Sequence, residues 1–333
     1  MSEYIGRRTF VEGTAATLAS SGITGSTAAQ EPDGGESDTD DATDTEDEGM
    51  TDDTTLIAHR GFAGVYPENT KLAAEAASFG GPGAQTAHRR ADMVEVDVVP
   101  TADSTLVTFH DNGLAERDGG ERGLTDTEGL VFETDTDTVT SATVLGTEET
   151  VPTLETVMDS IPPSVAVNLE FKNPGSDDLA FAESLSDQTL STQRELWRSY
   201  TERALALVSE YDNDILVSSF YEAALATVRD YDDSVPVAFL FWDSIEEGLE
   251  VARRYDCDAM NVPRHMVQGT PFFNDSEYID SDLSDIDLVD IAADEDRNLN
   301  TWTVSTWYQA RELVRAGVDG LISDYPTVLS VQD

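Results

Sequence analysis

From Thr54 onward the chain alternates short apolar runs with longer amphipathic stretches. The apolar runs predict strands over 55–59, 93–99, 105–110, 165–171, 215–220, 236–241, 259–262, 300–304 and 320–323. Helices are predicted between them, over 70–79, 153–160, 193–211, 221–231, 244–255, 284–296 and 306–316. Strands alternating with helices at this spacing argue for βαβ units and a parallel sheet. With 105–110 taken as an extension or hairpin partner of the second strand, eight strand–helix units remain, and these suggest a closed (β/α)8 TIM barrel. A doubly wound open sheet has the same alternation, and the count does not choose between them. A barrel takes about 250 residues, which fits residues 54–333. Residues 112–150, rich in Asp, Glu, Thr and Gly, read as a loop or insertion over the barrel mouth that could shape substrate choice.

The first 53 residues carry no such pattern. Gly6-Arg7-Arg8-Thr9-Phe10-Val11 precedes a mildly apolar Ala/Thr/Gly/Leu stretch that ends in small residues, so 1–30 reads as a twin-arginine-type export signal. Export by that machinery to the cell surface or the medium is the corresponding expectation. The apolar run is too short and interrupted to span a membrane. Residues 31–53 offer almost nothing to bury and read as an acidic disordered linker.

Charge narrows the partners. The 333 residues include 67 acidic and 19 basic side chains, a formal net charge of −48. Such a field repels nucleic acid and anionic membrane surfaces. Since 39% of residues are hydrophobic and fall in spaced runs, the acidity reads as the surface of a folded protein suited to very high salt, where self-repulsion is screened. Cys257 is the single cysteine, which excludes an intrachain disulfide and a thiolate cluster; its setting is that of a small buried hydrophobe. Lysine occurs only at Lys71 and Lys172.

Four segments place reactive side chains at the ends of apolar strands: Leu56-Ile57-Ala58-His59-Arg60-Gly61, Val94-Glu95-Val96-Asp97-Val98, Leu106-Val107-Thr108-Phe109-His110-Asp111 and Val167-Asn168-Leu169-Glu170-Phe171-Lys172. Residues two apart on a strand share a face. Glu95 and Asp97 therefore point together while Val94, Val96 and Val98 face the packing side, and Glu170 and Lys172 pair in the same way. Two carboxylates on one buried face repel unless a proton or a cation lies between them. A divalent cation with Glu170 as third carboxylate resolves this, and all-oxygen ligation favours Mg²⁺ or Ca²⁺, with Mn²⁺ also compatible, over zinc. Of the four histidines, His59 and His110 end strands; His88 and His265 read as surface or loop residues.

The ordered set His59-Arg60-Gly61, Pro67-Glu68-Asn69-Thr70, Glu95-x-Asp97 and His110-Asp111 resembles the glycerophosphodiester phosphodiesterase signature. Val151-Pro152-Thr153-Leu154-Glu155, Asn168 to Lys172, Ser218-Ser219-Phe220, Asn300 to Val304 and Gly317 to Pro326 follow in the same order, so the resemblance spans about 55–328. It implies a (β/α)8 barrel of the phosphatidylinositol-specific phospholipase C type, and hydrolysis of a glycerophosphodiester to glycerol phosphate and an alcohol. Carried onto matching positions, it makes His59 and His110 the acid/base pair and Glu95, Asp97 and Glu170 the metal ligands. Arg60 and Lys172 then contact phosphate. Glu68 stands either near the metal or beside Arg60, and Trp302 forms an apolar wall for the glycerol or alcohol. The resemblance leaves Lys71 on the surface. Direct attack by water and prior formation of a cyclic phosphate are both compatible with these residues. The chain departs from the family where Thr101-Ala102-Asp103-Ser104 replaces a Lys/Arg-Asp-Gly turn, at Ser305 in place of asparagine and at Ser323 in place of threonine. None of these is an expected acid/base or metal residue. Phosphodiesterases of the same barrel acting on lysophospholipids or phosphoinositides are the nearest alternatives, and a non-catalytic binding protein is the alternative of another class.

Overall fold

A computed structural model gives the fold and describes residues 54–80, 90–115, 117, 123–275 and 283–329. The export signal, the acidic linker and His88 lie outside the described residues. In chain order the elements are β1 (Thr55–Ala58), α1 (Lys71–Phe79), β2 (Met93–Pro100), β3 (Leu106–Thr108), α2 (Thr136–Ser141), α3 (Leu154–Met158), β4 (Ala166–Phe171), α4 (Asp187–Val208), β5 (Ile215–Ser219), α5 (Glu222–Tyr231), β6 (Val237–Leu240), α6 (Ile245–Arg254), β7 (Ala259–Pro263), α7 (Leu288–Asp294), β8 (Asn298–Val304), α8 (Trp307–Ala316) and β9 (Gly320–Ser323).

Eight strands are parallel, in the order β1-β9-β8-β7-β6-β5-β4-β2, and β1 also pairs with β2. The sheet is therefore closed, which decides between the two architectures left open by alternation alone. β3 pairs antiparallel with the end of β2 and is the expected hairpin partner. Its turn holds Ser104 at φ 67°, the left-handed region that favours glycine. Asp103 braces this corner, accepting bonds from the Thr101 and Thr136 hydroxyls.

Strand alternation sorts the core into two layers. Outward residues Val94, Val96, Val98, Val167, Leu169 and Phe171 join the helices in one large apolar cluster. Inward residues Ile57, Met93, Ala166, Leu216, Ala238, Ala259 and Ile322 plug the barrel interior. Polar side chains occupy inward positions above this plug, toward the carboxyl ends of the strands, where (β/α)8 barrels carry their active sites. The insertion has a small apolar core of its own, including Leu114, Leu124, Val131, Val139 and Val144.

Beside α2, which the pattern did not predict, three details differ from the sequence reading. α4 begins at Asp187 rather than 193, because the Ser186 hydroxyl accepts the Thr189 N–H and caps the helix through its polar first turns. α7 is confined to Leu288–Asp294, with Asp287 accepting the N–H groups of Val289 and Asp290. His265 is buried on a helical turn after β7, not on the surface. Cys257 is buried, as expected, and burial pushes its thiol up to about 12.

Candidate active site

Strand register assembles the acidic centre. β2 and β4 are parallel neighbours, with Glu95 opposite Asn168 and Asp97 opposite Glu170. The inward faces of two strands thus stack three carboxylates in two adjacent layers. One oxygen from each of Glu95, Asp97 and Glu170 lies within 4.8 Å of the others, and all three residues are buried.

Cations surround this cluster unevenly. Lys172 Nζ donates to Glu170 Oε1 at 2.5 Å and lies 3.4 Å from Asp97 Oδ1. Arg60 Nε is 3.4 Å from Asp97 Oδ2. Among the described residues Glu95 accepts a hydrogen bond only from the Arg60 backbone N–H, at 2.6 Å. Burial, together with Asp97 and Glu170, therefore pushes the Glu95 carboxyl well above the usual carboxylate range. Burial also opposes ionisation of Asp97, yet Lys172, His110 and Arg60 hold it below that range. Glu95 Oε1 and Asp97 Oδ1 are buried without a hydrogen-bond donor. Three convergent carboxylates, two of them with an oxygen that no hydrogen bond reaches, fit a hard divalent cation with oxygen ligands.

The loop after β1 brings Arg60 into place. Arg60, Gly61 and Phe62 all have positive φ, at 50°, 75° and 68°. A Cβ at Gly61 would come within 2.7 Å of Ala73 Cβ and 2.8 Å of its carbonyl carbon, so α1 can pack here only against glycine. This tight turn aims the Arg60 N–H at Glu95 and its guanidinium at Glu68, whose Oε1 accepts from Nη1 at 2.9 Å. Glu68 thus stands beside Arg60, the second of its two expected positions.

The two strand-end histidines carry carboxylate partners. His59 Nδ1 is 2.6 Å from Asp324 Oδ1, beyond β9, and His110 Nδ1 is 2.6 Å from Asp111 Oδ1. A carboxylate at Nδ1 fixes the tautomer and leaves Nε2 for proton transfer. Burial and the Lys172 charge lower the His110 pKa, against the opposing pull of Asp97.

His59, Arg60, Glu95, His110, Glu170 and Lys172 line a cavity of about 650 Å³ at the barrel mouth, with Asp97 and Glu68 buried behind them. β1, β2, β4 and the residues after β3 supply its charged side. Across from it, Phe220 after β5, Trp242 after β6 and Trp302 on β8 form an aromatic wall. The Trp242 and Trp302 rings stack at 6.1 Å, and Phe220 meets Trp302 edge-on at 5.8 Å. Phe181, from the loop after β4, extends this wall at 4.9 Å from Phe220. Trp302 is half-buried, packing on the barrel plug and lining the cavity, and is anchored by its indole N–H on the Asn261 carbonyl at 3.2 Å. The insertion turns Asn112, Gly113, Arg117 and Leu130 to the cavity. Its acidic residues Asp126 and Asp135 point elsewhere and accept local backbone N–H groups.

Seven of the nine expected site residues line one mouth, and the other two, Asp97 and Glu68, lie behind it against Arg60. Sequence reasoning missed Asn69, which holds Asp97; Asp324 and Asp111, which hold the histidines; Arg117; and the aromatic partners of Trp302. Asp324, Asp111 and Asn69 lie inside the recognised motifs. Arg117 had one signal, a basic residue in a strongly acidic stretch.

The match to known proteins gives the class, a phosphoric diester hydrolase. The chain belongs to the glycerophosphoryl diester phosphodiesterase family, whose model matches residues 59–328. It is 25% identical over 281 residues to a glycerophosphodiester phosphodiesterase of Bacillus altitudinis, covering 82% of this chain and 95% of that one. A glycerophosphodiester phosphodiesterase of Caldanaerobacter subterraneus is 25% identical over 280 residues, covering 83% and 96%. Among solved structures, a phosphodiesterase of Oleispira antarctica in complex with sn-glycerol-3-phosphate superposes with a TM-score of 0.60 at 21% identity, over 83% of this chain and 94% of that one. At that identity the superposition speaks for the fold.

Proposed function

We propose that this protein hydrolyses glycerophosphodiesters to glycerol phosphate and an alcohol, using a divalent cation held by Glu95, Asp97 and Glu170. The observation that carries this reading is the convergence of three buried carboxylates, with Glu95 Oε1 lacking a hydrogen-bond donor, beneath a mouth flanked by His59 and His110. When bound, Mg²⁺, Ca²⁺ or Mn²⁺ would neutralise phosphate charge as a Lewis acid.

The chain's own residues supply the rest. Arg60, fixed by Glu68, offers N–H donors to phosphate oxygens, and a guanidinium fork suits that geometry. Lys172 adds a compact charge. His110, whose neutral form burial favours, takes the proton from the attacking oxygen through Nε2, while Asp111 retains the proton on Nδ1. His59 gives a proton to the leaving alkoxide, and Asp324 stabilises the imidazolium from which it leaves. Phe220, Trp242 and Trp302 exclude water on one side and cover the apolar part of the substrate.

A panel of glycerophosphocholine, glycerophosphoethanolamine, glycerophosphoglycerol and lysophospholipids, assayed at high salt with each cation, tests this reading. Release of glycerol phosphate from at least one soluble diester is the expected result; no turnover of any compound by folded, cation-supplemented protein contradicts it. A lysophospholipid as best substrate is the second reading. It is favoured by the aromatic wall reaching the surface at Phe181 and Trp242, which are 40% and 48% exposed. Among the described residues no helix is long and apolar enough to cross a membrane. Export through Arg7-Arg8 belongs to the same proposal; an Arg7→Lys, Arg8→Lys variant retained inside the producing cell is its expected signature, and undiminished export is the contrary one.

A further inference from the structure

Arg117 enters the mouth from the insertion and makes three hydrogen bonds with two carboxylates. Its Nη1 donates to Glu68 Oε2 at 2.7 Å and its Nη2 to Glu68 Oε1 at 2.5 Å. Its Nε donates to Asp111 Oδ2 at 3.0 Å, the same pair closing as an ion pair. Each carboxylate has a further partner, Glu68 at an oxygen it shares with Arg117 and Asp111 at its other oxygen. Glu68 Oε1 accepts from Arg60 Nη1, and Asp111 Oδ1 faces His110 Nδ1. One unbroken chain of contacts therefore runs Arg60–Glu68–Arg117–Asp111–His110, joining segments up to 57 positions apart (117 against 60).

We propose that Arg117 is a positioning residue that sets the phosphate-binding Arg60 and the proton-transferring His110 together, so that both ends of the reaction depend on one side chain of the insertion. The proposal rests on the roles given above to Arg60 and His110. Without Arg117, Glu68 and Asp111 lose the cation they share and are each held at one oxygen only, so Glu68 can turn away from Arg60 and Asp111 from His110. A planar guanidinium satisfies both at once, with the fork on Glu68 and Nε on Asp111; an ammonium lacks this geometry. Burial disfavours ionisation of Glu68, and the Arg117 bond is foremost among the contacts that keep it ionised. Anchoring the insertion is not the task of this side chain, since that segment has its own apolar core and backbone bonds such as Val131 N–H to the Asn112 carbonyl.

The test compares Arg117→Ala and Arg117→Lys with Glu68→Gln and Asp111→Asn, using steady-state kinetics on a cleaved diester and histidine long-range ¹H–¹⁵N spectra. The expected pattern is a rise in KM for Glu68→Gln, a fall in kcat for Asp111→Asn and both together for Arg117→Ala. The Arg117→Ala loss in kcat/KM is expected at about 100-fold, the scale of a misplaced reacting group. Arg117→Lys restores part of the loss, and the double variant Arg117→Ala, Asp111→Asn loses less than the product of the singles. In Arg117→Ala the His110 Nδ1 resonance moves while those of the other histidines stay. Kinetic constants within twofold of wild type in Arg117→Ala, or an unmoved His110 resonance, overturn the proposal. If Arg117→Ala fails to fold, full activity in Arg117→Lys does the same. His110→Ala serves as control: activity surviving there defeats the acid/base assignment, whereas an inactive His110→Ala beside a normal Arg117→Ala defeats only the positioning role.

Discussion

Asn69 holds Asp97 at both its side chain and its backbone. The Asn69 amide donates to Asp97 Oδ2 at 2.7 Å, and the Asp97 N–H donates to Asn69 Oδ1 at 3.0 Å. The grip fixes one carboxylate of the triad, and Asn69 tolerates the φ of 57° that it requires. Its own carbonyl accepts the Thr108 hydroxyl, tying the loop after β1 to β3.

Asn69→Ala removes a buried bond to a charged group and places alanine at positive φ. A stability loss of about 2–3 kcal/mol is expected, with at least ~10-fold weaker cation binding, as for other lost supports of a ligand. Denaturant titration and calorimetry measure both; unchanged values in both contradict the role given to this grip.

Glu95 gives the cation site a pH signature. Its raised pKa means that the cation-free folded state holds a proton there that the unfolded state releases at lower pH. Stability of the cation-free protein therefore falls as pH rises from the ordinary glutamate value through the raised one. A bound cation displaces that proton. Cation binding should then release protons below the raised pKa and cease to do so above it, and calorimetry in buffers of different ionisation enthalpy reads the count. Proton-neutral binding across the whole range contradicts Glu95 as a ligand.

The histidine partners predict graded losses. Asp324→Asn and Asp111→Asn leave each imidazole without its carboxylate, whereas His59→Ala and His110→Ala remove the proton carriers. Losses of roughly 10²–10⁴-fold in kcat are expected for the alanine variants, with smaller losses for the asparagines. Because burial lowers the His110 pKa, wild-type activity should persist to a lower pH than an ordinary histidine base allows. A pH–rate profile whose acid limb lies above pH ~6.5, the ordinary histidine value, contradicts His110 as the base.

The surface charge predicts salt dependence of the fold. A net charge of −48 destabilises the compact state by self-repulsion, and added salt screens it. The thermal midpoint should rise steadily from low to molar KCl. A midpoint that falls with salt contradicts the high-salt reading of the composition.

Most of the barrel was legible because inward and outward residues alternate along strands such as β2 and β4, and the eight parallel strands sit within three residues of their expected bounds. What the pattern could not give was closure, since an open sheet alternates in the same way. The site was legible to the extent that two-residue spacing fixes a face: Glu95 with Asp97, and Glu170 with Lys172. The support was not. Asn69 meets Asp97 across 28 positions, Asp324 meets His59 across 265, and Arg117 meets Glu68 across 49. Such pairings are set by barrel closure and loop packing, which no local pattern records. α2 escaped notice because it is short and polar, held by the Asp135 cap rather than by an apolar stripe.

The central claim is cation-dependent cleavage at phosphorus by the mouth of this barrel. Its most direct test is a ³¹P NMR time course of glycerophosphocholine at high salt, with wild-type protein stripped by EDTA and then recharged with Mg²⁺, Ca²⁺ or Mn²⁺. The account predicts that the diester signal stays constant in the stripped sample and is replaced by glycerol phosphate after recharging. Equal turnover with and without the cation, or none in folded, recharged protein that also leaves other glycerophosphodiesters intact, contradicts it.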